Sequence, residues 1–363
     1  MQRDLRLPVL AATASLALAA PAAAQVTFDG FVDTYYTYDS NDPAGRQRAY
    51  ATQTARHNEF AVQYAFLRGT YAGDRVRGAL NIGTGTYVEA NYAAEPEILK
   101  NIQEAYVGVE VADGFWIDAG TFFSHIMAES PMSSLNHTYT RTLMAEYTPY
   151  YESGVRFTYA ASDRLTLSAL VLNGWQNIRE TNGDKAFGTQ VTFKPAPATT
   201  LNWSTFVGNE APQGEESQTR IYNDFYVVQD FGPLDVIAAF DIGLQRDPAA
   251  DEYKTWTTGA LTGRYSFSPN VAVNARAEYL SDPDNRIVGF AGDVSDETAA
   301  GGFKVGGVSV GLDLAPMPNV LFRLEARGLQ SFNDEGRVFP TTRNDSGFRS
   351  TNGTLTAGMA ITF

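Results

Sequence analysis

Few residues in this chain carry side chains suited to acid–base or metal chemistry. There is no cysteine, and the three histidines are His57, His125 and His137. His125 and His137 could ligate a metal with Glu129, but their wide spacing within one loop favours ordinary loop histidines. Ser124 beside His125 suggests a hydrolase, yet neighbours on a strand point to opposite faces, so they form no catalytic dyad. We therefore predict no catalytic, metal or cofactor site.

A second group of residues could act on solutes through charge alone. If one face of each predicted strand lines a water-filled bore, opposite charges across it would order water and favour small polar solutes. The acidic members come from the first strands and most arginines from the last; we hypothesise that Arg276 and Arg323 help to set ion preference. Alternatively, these charged residues pair with one another and stabilise the barrel wall. The pore-lining candidates are Asp29, Asp33, Glu59, Glu104, Asp118, Arg156, Arg264, Arg276, Arg323 and Arg327.

The elements that must position these residues are β-strands. Apolar and polar residues alternate along successive segments, as in Val271, Val273, Ala275, Ala277 and Tyr279, whose neighbours are mostly polar. Such alternation is typical of a strand with one apolar face. After the N-terminal segment, no run of about 18 apolar residues predicts a transmembrane helix.

The connections between the strands alternate in length. Short turns near residues 73, 113, 162, 196, 232, 269 and 317 take turns with polar loops at about 40–56, 88–100, 124–150, 174–185, 209–219, 246–255, 281–302 and 331–352. This pattern predicts an all-β fold: a single closed antiparallel transmembrane β-barrel of about 16 strands, with short periplasmic turns and long extracellular loops. A barrel of 14 or 18 strands fits the same pattern.

A soluble β-sandwich also alternates, with its apolar face turned inward. Two features favour the barrel. Aromatic residues gather beside the short turns, where a membrane interface would lie: Phe28, Tyr71, Phe115, Tyr159, Phe193, Phe231 and Phe267. The final segment GTLTAGMAITF is a strand ending on Phe363 at the same level. A terminal aromatic strand resembles the signal that outer-membrane barrels present to the barrel assembly machinery.

The N-terminal segment predicts export. Arg3 and Arg6 precede an apolar stretch, and Ala22-Ala23-Ala24 ends it, so residues 1–24 are a predicted signal peptide and residues 25–363 the mature barrel. A chain without cysteine must be held together by packing and hydrogen bonds. The net charge of −14 provides no basic footprint for nucleic acid.

Four motifs resemble a known family. Residues 54–60 (TARHNEF), 87–96 (YVEANYAAEP), 101–108 (NIQEAYVG) and 172–190 (LNGWQNIRETNGDKAFGTQ) are similar to the OmpL-like β-barrel porin family of Gram-negative bacteria. The resemblance is dense from about residue 28 to 210 and looser to residue 363. It implies an outer-membrane barrel with a pore, without a defined substrate or catalytic residues.

These observations predict an outer-membrane porin for passive diffusion of small polar solutes or ions, and no enzyme. The alternative is a barrel that acts through its extracellular loops as an adhesin or enzyme. The apolar-rich segment 124–150 either folds into the bore, as the third loop does in general porins, with Glu129 and Glu146 as constriction candidates, or packs on the rim of the barrel. The expected partners are outer-membrane lipid, lipopolysaccharide and the assembly machinery; a homotrimer is one expected assembly, and no nucleic acid is expected to bind.

Overall fold

The chain folds into a closed antiparallel β-barrel. The computed structural model describes residues 25–126, 128–289, 301–333, 336–343 and 347–363, so the predicted signal peptide lies outside the described residues. The wall strands are β1 (Gln25–Asp39), β2 (Phe60–Ala72), β3 (Val76–Thr84), β4 (Ile102–Ala112), β5 (Phe115–Phe123), β6 (Tyr151–Ser162), β7 (Leu165–Leu172), β8 (Ala186–Ala196), β9 (Thr199–Asn209), β10 (Thr219–Asp230), β11 (Leu234–Asp247), β12 (Glu252–Ser268), β13 (Val271–Asp282), β14 (Phe303–Met317), β15 (Val320–Ser331) and β18 (Thr351–Thr362). Each pairs with its neighbours in chain order, and β1 pairs with β18, which confirms the predicted 16-stranded barrel.

Few other regular elements occur among the described residues. Two short α-helices, α1 (Thr86–Asn91) and α2 (Leu143–Glu146), lie in connections between wall strands. Two 3₁₀ turns span Ala44–Arg46 and Ser133–Leu135. The strands β16 (Phe339–Pro340) and β17 (Phe348–Arg349) form a separate two-stranded sheet. Within the described part of the chain, no helix has the length and apolar character needed to cross a membrane.

The predicted alternation of short and long connections is confirmed. At one end of the barrel, the turns are residues 73–75, 113–114, 163–164, 197–198, 231–233, 269–270 and 318–319. At the other end, loops 1 to 8 are residues 40–59, 85–101, 124–150, 173–185, 210–218, 248–251, 283–302 and 332–350. Loop 6 is shorter than the predicted 246–255, because Asp247 pairs with Glu252 and Gln245 with Lys254 in a continued ladder. The charged side chains of this segment suggested a loop, but its backbone continues the pairing of β11 with β12.

Apolar side chains cover the outer face of the wall, and polar side chains dominate the inner face. In β14, Val308 and Val310 are 64% and 62% exposed, whereas Asp313 on the opposite parity is buried. In β13, Tyr279 is exposed and Arg276 is buried. A β-sandwich would bury its apolar parity, so the sandwich alternative is wrong. The exposed aromatics at the short-turn end are Phe28, Tyr71, Tyr159, Phe193, Phe231, Phe267 and Phe363, while Phe115 is half-buried.

The barrel closes where its first strand meets its last. The backbone N–H of Gly30 donates to the carbonyl of Phe363 at 2.8 Å, and the N–H of Phe363 donates to the carbonyl of Gly30 at 3.0 Å. The Phe363 ring covers Gly30 so closely that a Cβ there would lie 2.5 Å from it. A glycine in β1 therefore makes room for the terminal ring.

Candidate channel lumen

Loop 3 lies inside the barrel, against the inner faces of several wall strands. The hydroxyl of Tyr139 donates to Asp33 of β1 at 2.9 Å. The backbone N–H of Thr140 donates to Glu325 of β15 at 2.8 Å, and Arg276 of β13 donates to the carbonyl of Thr140 at 2.6 Å. The tip of loop 3 is thus held across the lumen, where the sequence predicted a constriction; its effect on conduction stays a prediction.

A glycine in the last strand makes room for this loop. The Tyr139 ring lies against Gly358 of β18, where an added Cβ would be 2.5 Å from the ring. The Tyr139 side chain is almost completely buried between that glycine and Asp33. A larger residue at position 358 would push the Tyr139 ring, and loop 3 with it, away from the wall, because the ring is packed between this position and Asp33.

Arg323 anchors loop 3 to β15. Its side chain is buried; Nε donates to Asp313 at 2.8 Å, Nη2 donates to the carbonyl of His137 at 2.7 Å, and Nη1 donates to the carbonyls of Ser133 and Thr138. The guanidinium thus joins the wall to both arms of the loop tip. This charge is covered by protein rather than displayed to the lumen, although its parity is inward as predicted.

The two constriction candidates brace loop 3. Glu129 accepts from the backbone N–H of Thr142 at 2.9 Å and from its hydroxyl at 2.6 Å. Burial raises the pKa of the Glu129 carboxyl, although Arg276 and Thr142 lower it in part. Glu146 accepts from the backbone N–H of Thr52 at 2.9 Å and from the Thr52 hydroxyl, which ties loop 3 to loop 1. Both carboxylates therefore hold the loop in place.

Most of the other pore-lining candidates are engaged in ion pairs within the wall. Asp29 receives Nε and Nη2 of Arg68 at 3.0 and 2.9 Å, and Glu104 lies 3.7 Å from the same guanidinium. Arg327 donates to Glu278 at 2.9 and 2.8 Å. The remaining pairs are Arg276 with Glu278 and Glu325, Arg264 with Asp313, and Asp118 with Arg77 and Arg156.

This pairing changes the predicted field. We expected carboxylates on one wall and arginines on the opposite wall, but each of these sets contains both charges at contact distance. The expected transverse field of separated charges is therefore replaced by local ion pairs. The partners that the sequence did not single out are Arg68, Arg77, Glu278, Asp313 and Glu325; they lie on the predicted inner parity of neighbouring strands.

The prediction that Glu59 lines the wall is wrong. Glu59 lies one residue before β2, in loop 1, and pairs with Arg56 at 2.8 Å and Arg46 at 3.7 Å. The alternation that begins in β2 does not extend back through this segment, because Asn58 and Thr54 adopt positive φ angles of 55° and 53°. Such angles end an extended strand.

Ser124 and His125 do not form a catalytic dyad. Both contact Glu152: the Ser124 hydroxyl donates to it at 3.0 Å, and His125 Nδ1 lies 2.9 Å from both carboxylate oxygens. His125 Nε2 lies 2.8 Å from the carbonyl of Thr205, so this nitrogen contacts that carbonyl and not Ser124. A Ser–His dyad requires the ring nitrogen to accept the hydroxyl proton. The ring fits here because Gly188 leaves space that a Cβ would fill at 2.7 Å.

The contacts of His125 favour its protonated ring. An oxygen of Glu152 and the carbonyl of Thr205 lie within hydrogen-bond distance of the two ring nitrogens, and a protonated imidazole can donate to both. Burial alone would lower the pKa of His125, but the charge and hydrogen bond of Glu152 outweigh it and raise the pKa above the ordinary 6.5.

Replacing His125 with glutamine should remove a pH-dependent part of the barrel's stability. Because the folded state raises the pKa, this contribution is fully present below the unfolded value of about 6.5 and is lost as pH rises through the higher folded value. The free energy of unfolding of the wild type should therefore fall across that window more than that of H125Q. Urea unfolding at a series of pH values measures the difference between the two proteins. Parallel curves for wild type and H125Q would contradict the assignment.

His137 is separate from His125. Burial, together with Arg264 and Arg323, lowers the pKa of His137 to about 4, so its ring is neutral at neutral pH. Its Nδ1 lies 3.5 Å from the hydroxyl of Thr262 on β12, whereas His125 contacts β6 and β9. Among the described residues, no group of three or more histidine or acidic side chains is placed to hold a metal ion.

Aromatic side chains of loops 2 and 3 pack with aromatic side chains of the inner wall in one buried cluster. Tyr92 of loop 2 stacks on Tyr151 of β6 with ring centroids 4.0 Å apart. Arg141 of loop 3 lies 3.9 Å above the ring of Tyr150 and is fully buried. Phe31 of the inner parity belongs to the same buried cluster, with its ring centroid 6.2 Å from that of Tyr64. The simple rule of apolar outside and polar inside did not predict this cluster.

The fold is shared with solved porins. DcaP, an outer membrane channel of Acinetobacter baumannii, superposes with a TM-score of 0.62 at 14% identity, over 95% of this chain and 99% of that one. An anion-selective porin from Comamonas acidovorans gives 0.61 at 10% identity, over 94% and 100%. OmpF of Salmonella typhi, solved with daunomycin, gives 0.59 at 12% identity, over 93% and 97%. At these identities the likeness concerns the fold.

A comparison with curated proteins finds no match. The family comparison does find one: the model described as "Putative beta-barrel porin-2, OmpL-like" matches residues 25–363, the whole of the predicted mature barrel. The closed barrel with a polar inner wall agrees with that match. The chain therefore belongs to the OmpL-like beta-barrel porin-2 family.

Proposed function

We propose that this protein is an outer-membrane porin through which small polar solutes or ions diffuse passively. The observation that carries the proposal is the inner wall of charged and polar side chains with loop 3 held across it, inside a barrel whose outer face is apolar. An apolar outer face is stable against lipid, and a polar inner face is stable against water. Loop 3 narrows the route and so selects by size.

We propose that the barrel lies in the outer membrane with its short turns in the periplasm and its long loops outside. The difference in length between the turns and the loops supports this orientation. The exposed aromatic residues at the short-turn end support the level of one membrane–water interface. Outer-membrane lipid and lipopolysaccharide surround the wall. The β18 strand ending on Phe363 is the segment that the assembly machinery recognises, and a homotrimer is the assembly we expect from other porins.

We propose no enzymatic role. The Ser124 hydroxyl and the His125 ring are both committed to Glu152, and His125 Nε2 is committed to Thr205. Neither group is free to take a proton from the other, which argues against a hydrolase at this position.

Reconstitution of the processed protein into planar lipid bilayers tests the proposal. We expect discrete current steps that increase linearly with voltage, because a fixed aqueous route obeys Ohm's law. A heat-denatured sample is the control for leakage. Correctly folded protein that inserts and remains silent would reject the porin proposal and favour a barrel that acts through its outer loops.

A further inference from the structure

Four side-chain positions form a row across β3, β4, β5 and β6. Arg77 is paired in register with Gly108, Gly108 with Asp118, and Asp118 with Arg156. Gly108 makes the row possible, because a Cβ there would lie 2.1 Å from Asp118 and 3.0 Å from the Arg77 side chain. Arg77 can therefore reach over β4 to Asp118. We call Arg77, Asp118 and Arg156 the Asp118 cluster.

The Asp118 cluster has more donors than its single carboxylate can use. Arg77 donates from Nε at 2.7 Å and from Nη2 at 2.6 Å, and Arg156 donates from Nε at 3.2 Å and from Nη2 at 3.1 Å. A guanidinium carries five N–H groups, so the N–H groups of Nη1 in each arginine are not used by Asp118. Among the described residues, neither Nη1 donates to the protein. The cluster carries one net positive charge.

The geometry turns the arginines, and not the carboxylate, toward the lumen. Arg77 and Arg156 are 29% and 23% exposed, whereas Asp118 is 0% exposed. Aromatic rings cover the guanidinium faces: Trp116 lies 4.3 Å from Arg77, and Phe122 lies 4.5 Å from Arg156. A ring on one face fixes the plane of each guanidinium, so the spare N–H groups have a fixed direction.

A second cluster of the same composition shows what such spare donors bind. Arg264 and Arg323 share Asp313 across β12, β14 and β15. There, the spare donors of Arg323 are occupied by the carbonyl oxygens of Ser133, His137 and Thr138 in loop 3. The Asp118 cluster has no corresponding loop oxygens among its described contacts.

The excess positive charge is local. The neighbouring set has the opposite composition, since Arg68 faces both Asp29 and Glu104. A mobile anion in the lumen would therefore be attracted to the Asp118 cluster itself rather than to the whole wall. Two oxygens of a carboxylate or of a phosphate match the paired N–H groups on one edge of a guanidinium.

We propose that the Asp118 cluster is a binding subsite for small oxyanions, carboxylate or phosphate, on their way through the lumen. The Nη1 edges of Arg77 and Arg156 donate to the oxyanion, and buried Asp118 holds both arginines in position. The subsite rests on the proposed function only in that the lumen is the route of the solute; binding itself does not require conduction.

Thermal unfolding of the detergent-solubilised barrel tests binding without conduction. Potassium phosphate and potassium acetate are compared with potassium chloride at equal ionic strength, and the unfolding midpoint should rise with the preferred oxyanion in a saturable way. The triple variant R77Q/D118N/R156Q should lose at least about tenfold in apparent affinity, because each charge-assisted hydrogen bond is worth about that factor. The matched control D247N/R286Q removes one ion pair elsewhere in the barrel and should bind as the wild type does.

Single-channel recording separates this inference from the porin proposal. Phosphate or acetate should reduce the chloride current of the wild type at low concentration and that of the triple variant only weakly. R156Q leaves Asp118 paired with Arg77, so this variant should fold even if the triple variant does not. It should show a partial loss of apparent affinity for the oxyanion. Equal affinity of wild type and R156Q, or no saturable binding by wild type, would overturn the subsite. A silent barrel that still binds phosphate would reject conduction alone.

Discussion

Deletion of residues 128–145, bridged by a short Gly-Ser linker, should raise the single-channel conductance several-fold. These residues include the loop 3 tip that reaches Asp33, Glu325 and Arg276 on the inner wall. When these residues are removed, water fills the part of the lumen that they occupied. Conductance should increase, because a larger cross-section of the lumen is open to ions. Planar-bilayer recording of the deletion variant beside the wild type measures the change.

The control for this deletion is a cut of similar kind outside the lumen. Residues 212–217 of loop 5 are exposed, so their removal should leave conductance unchanged. The deletion of 128–145 also leaves Arg276 and Arg323 without their loop partners, and water can solvate them once the space opens. If conductance of the loop 3 deletion equals that of the wild type, loop 3 is not the constriction.

Arg323→Ala should lower the free energy of unfolding by about 3–5 kcal/mol, because removing one partner leaves the buried Asp313 without its best ion pair. The loss also frees the carbonyls of Ser133, His137 and Thr138, which anchor both arms of the loop 3 tip. Urea unfolding in lipid bilayers gives the difference from the wild type.

The sharpest comparison for Arg323 is a double-mutant cycle with Asp313→Asn. Since the two side chains meet at 2.8 Å, their effects should be strongly non-additive. Arg246→Ala is the matched control: Arg246 also forms ion pairs, with Glu216 and Asp251, but at the exposed end of the barrel, and its removal should leave the unfolding midpoint unchanged. An unchanged midpoint for Arg323→Ala would show that the anchor does not stabilise the fold.

The architecture was predictable because lipid and water impose a repeating pattern on the chain. Alternation in β13, for example, places Val273 and Tyr279 on one face and Arg276 and Glu278 on the other. Turn residues such as Pro269 and Asn270 mark where a hairpin must reverse. Each of these signals is local, so a single sequence is sufficient to detect it.

The pairing of the charged residues was not predictable from the same signals. Alternation tells which face a side chain occupies, but not how neighbouring strands are offset along the barrel axis. Arg77 meets Asp118 only because the register places Gly108 between them. The position of loop 3 is a similar case: its anchors Tyr139 and Thr140 have ordinary loop composition, and their wall partners are far away in sequence.

The seam between β1 and β18 has a consequence for how the protein is made. Hairpins such as β12–β13 join neighbouring segments and can form early, but β1 gains its second partner only when the far end of the chain arrives, at a large entropic cost. Until then, two strand edges stay open, with unpaired backbone groups that invite aggregation. We therefore expect the unfolded polypeptide to need protection from aggregation until its final strand pairs, and we expect ring closure to come late in folding.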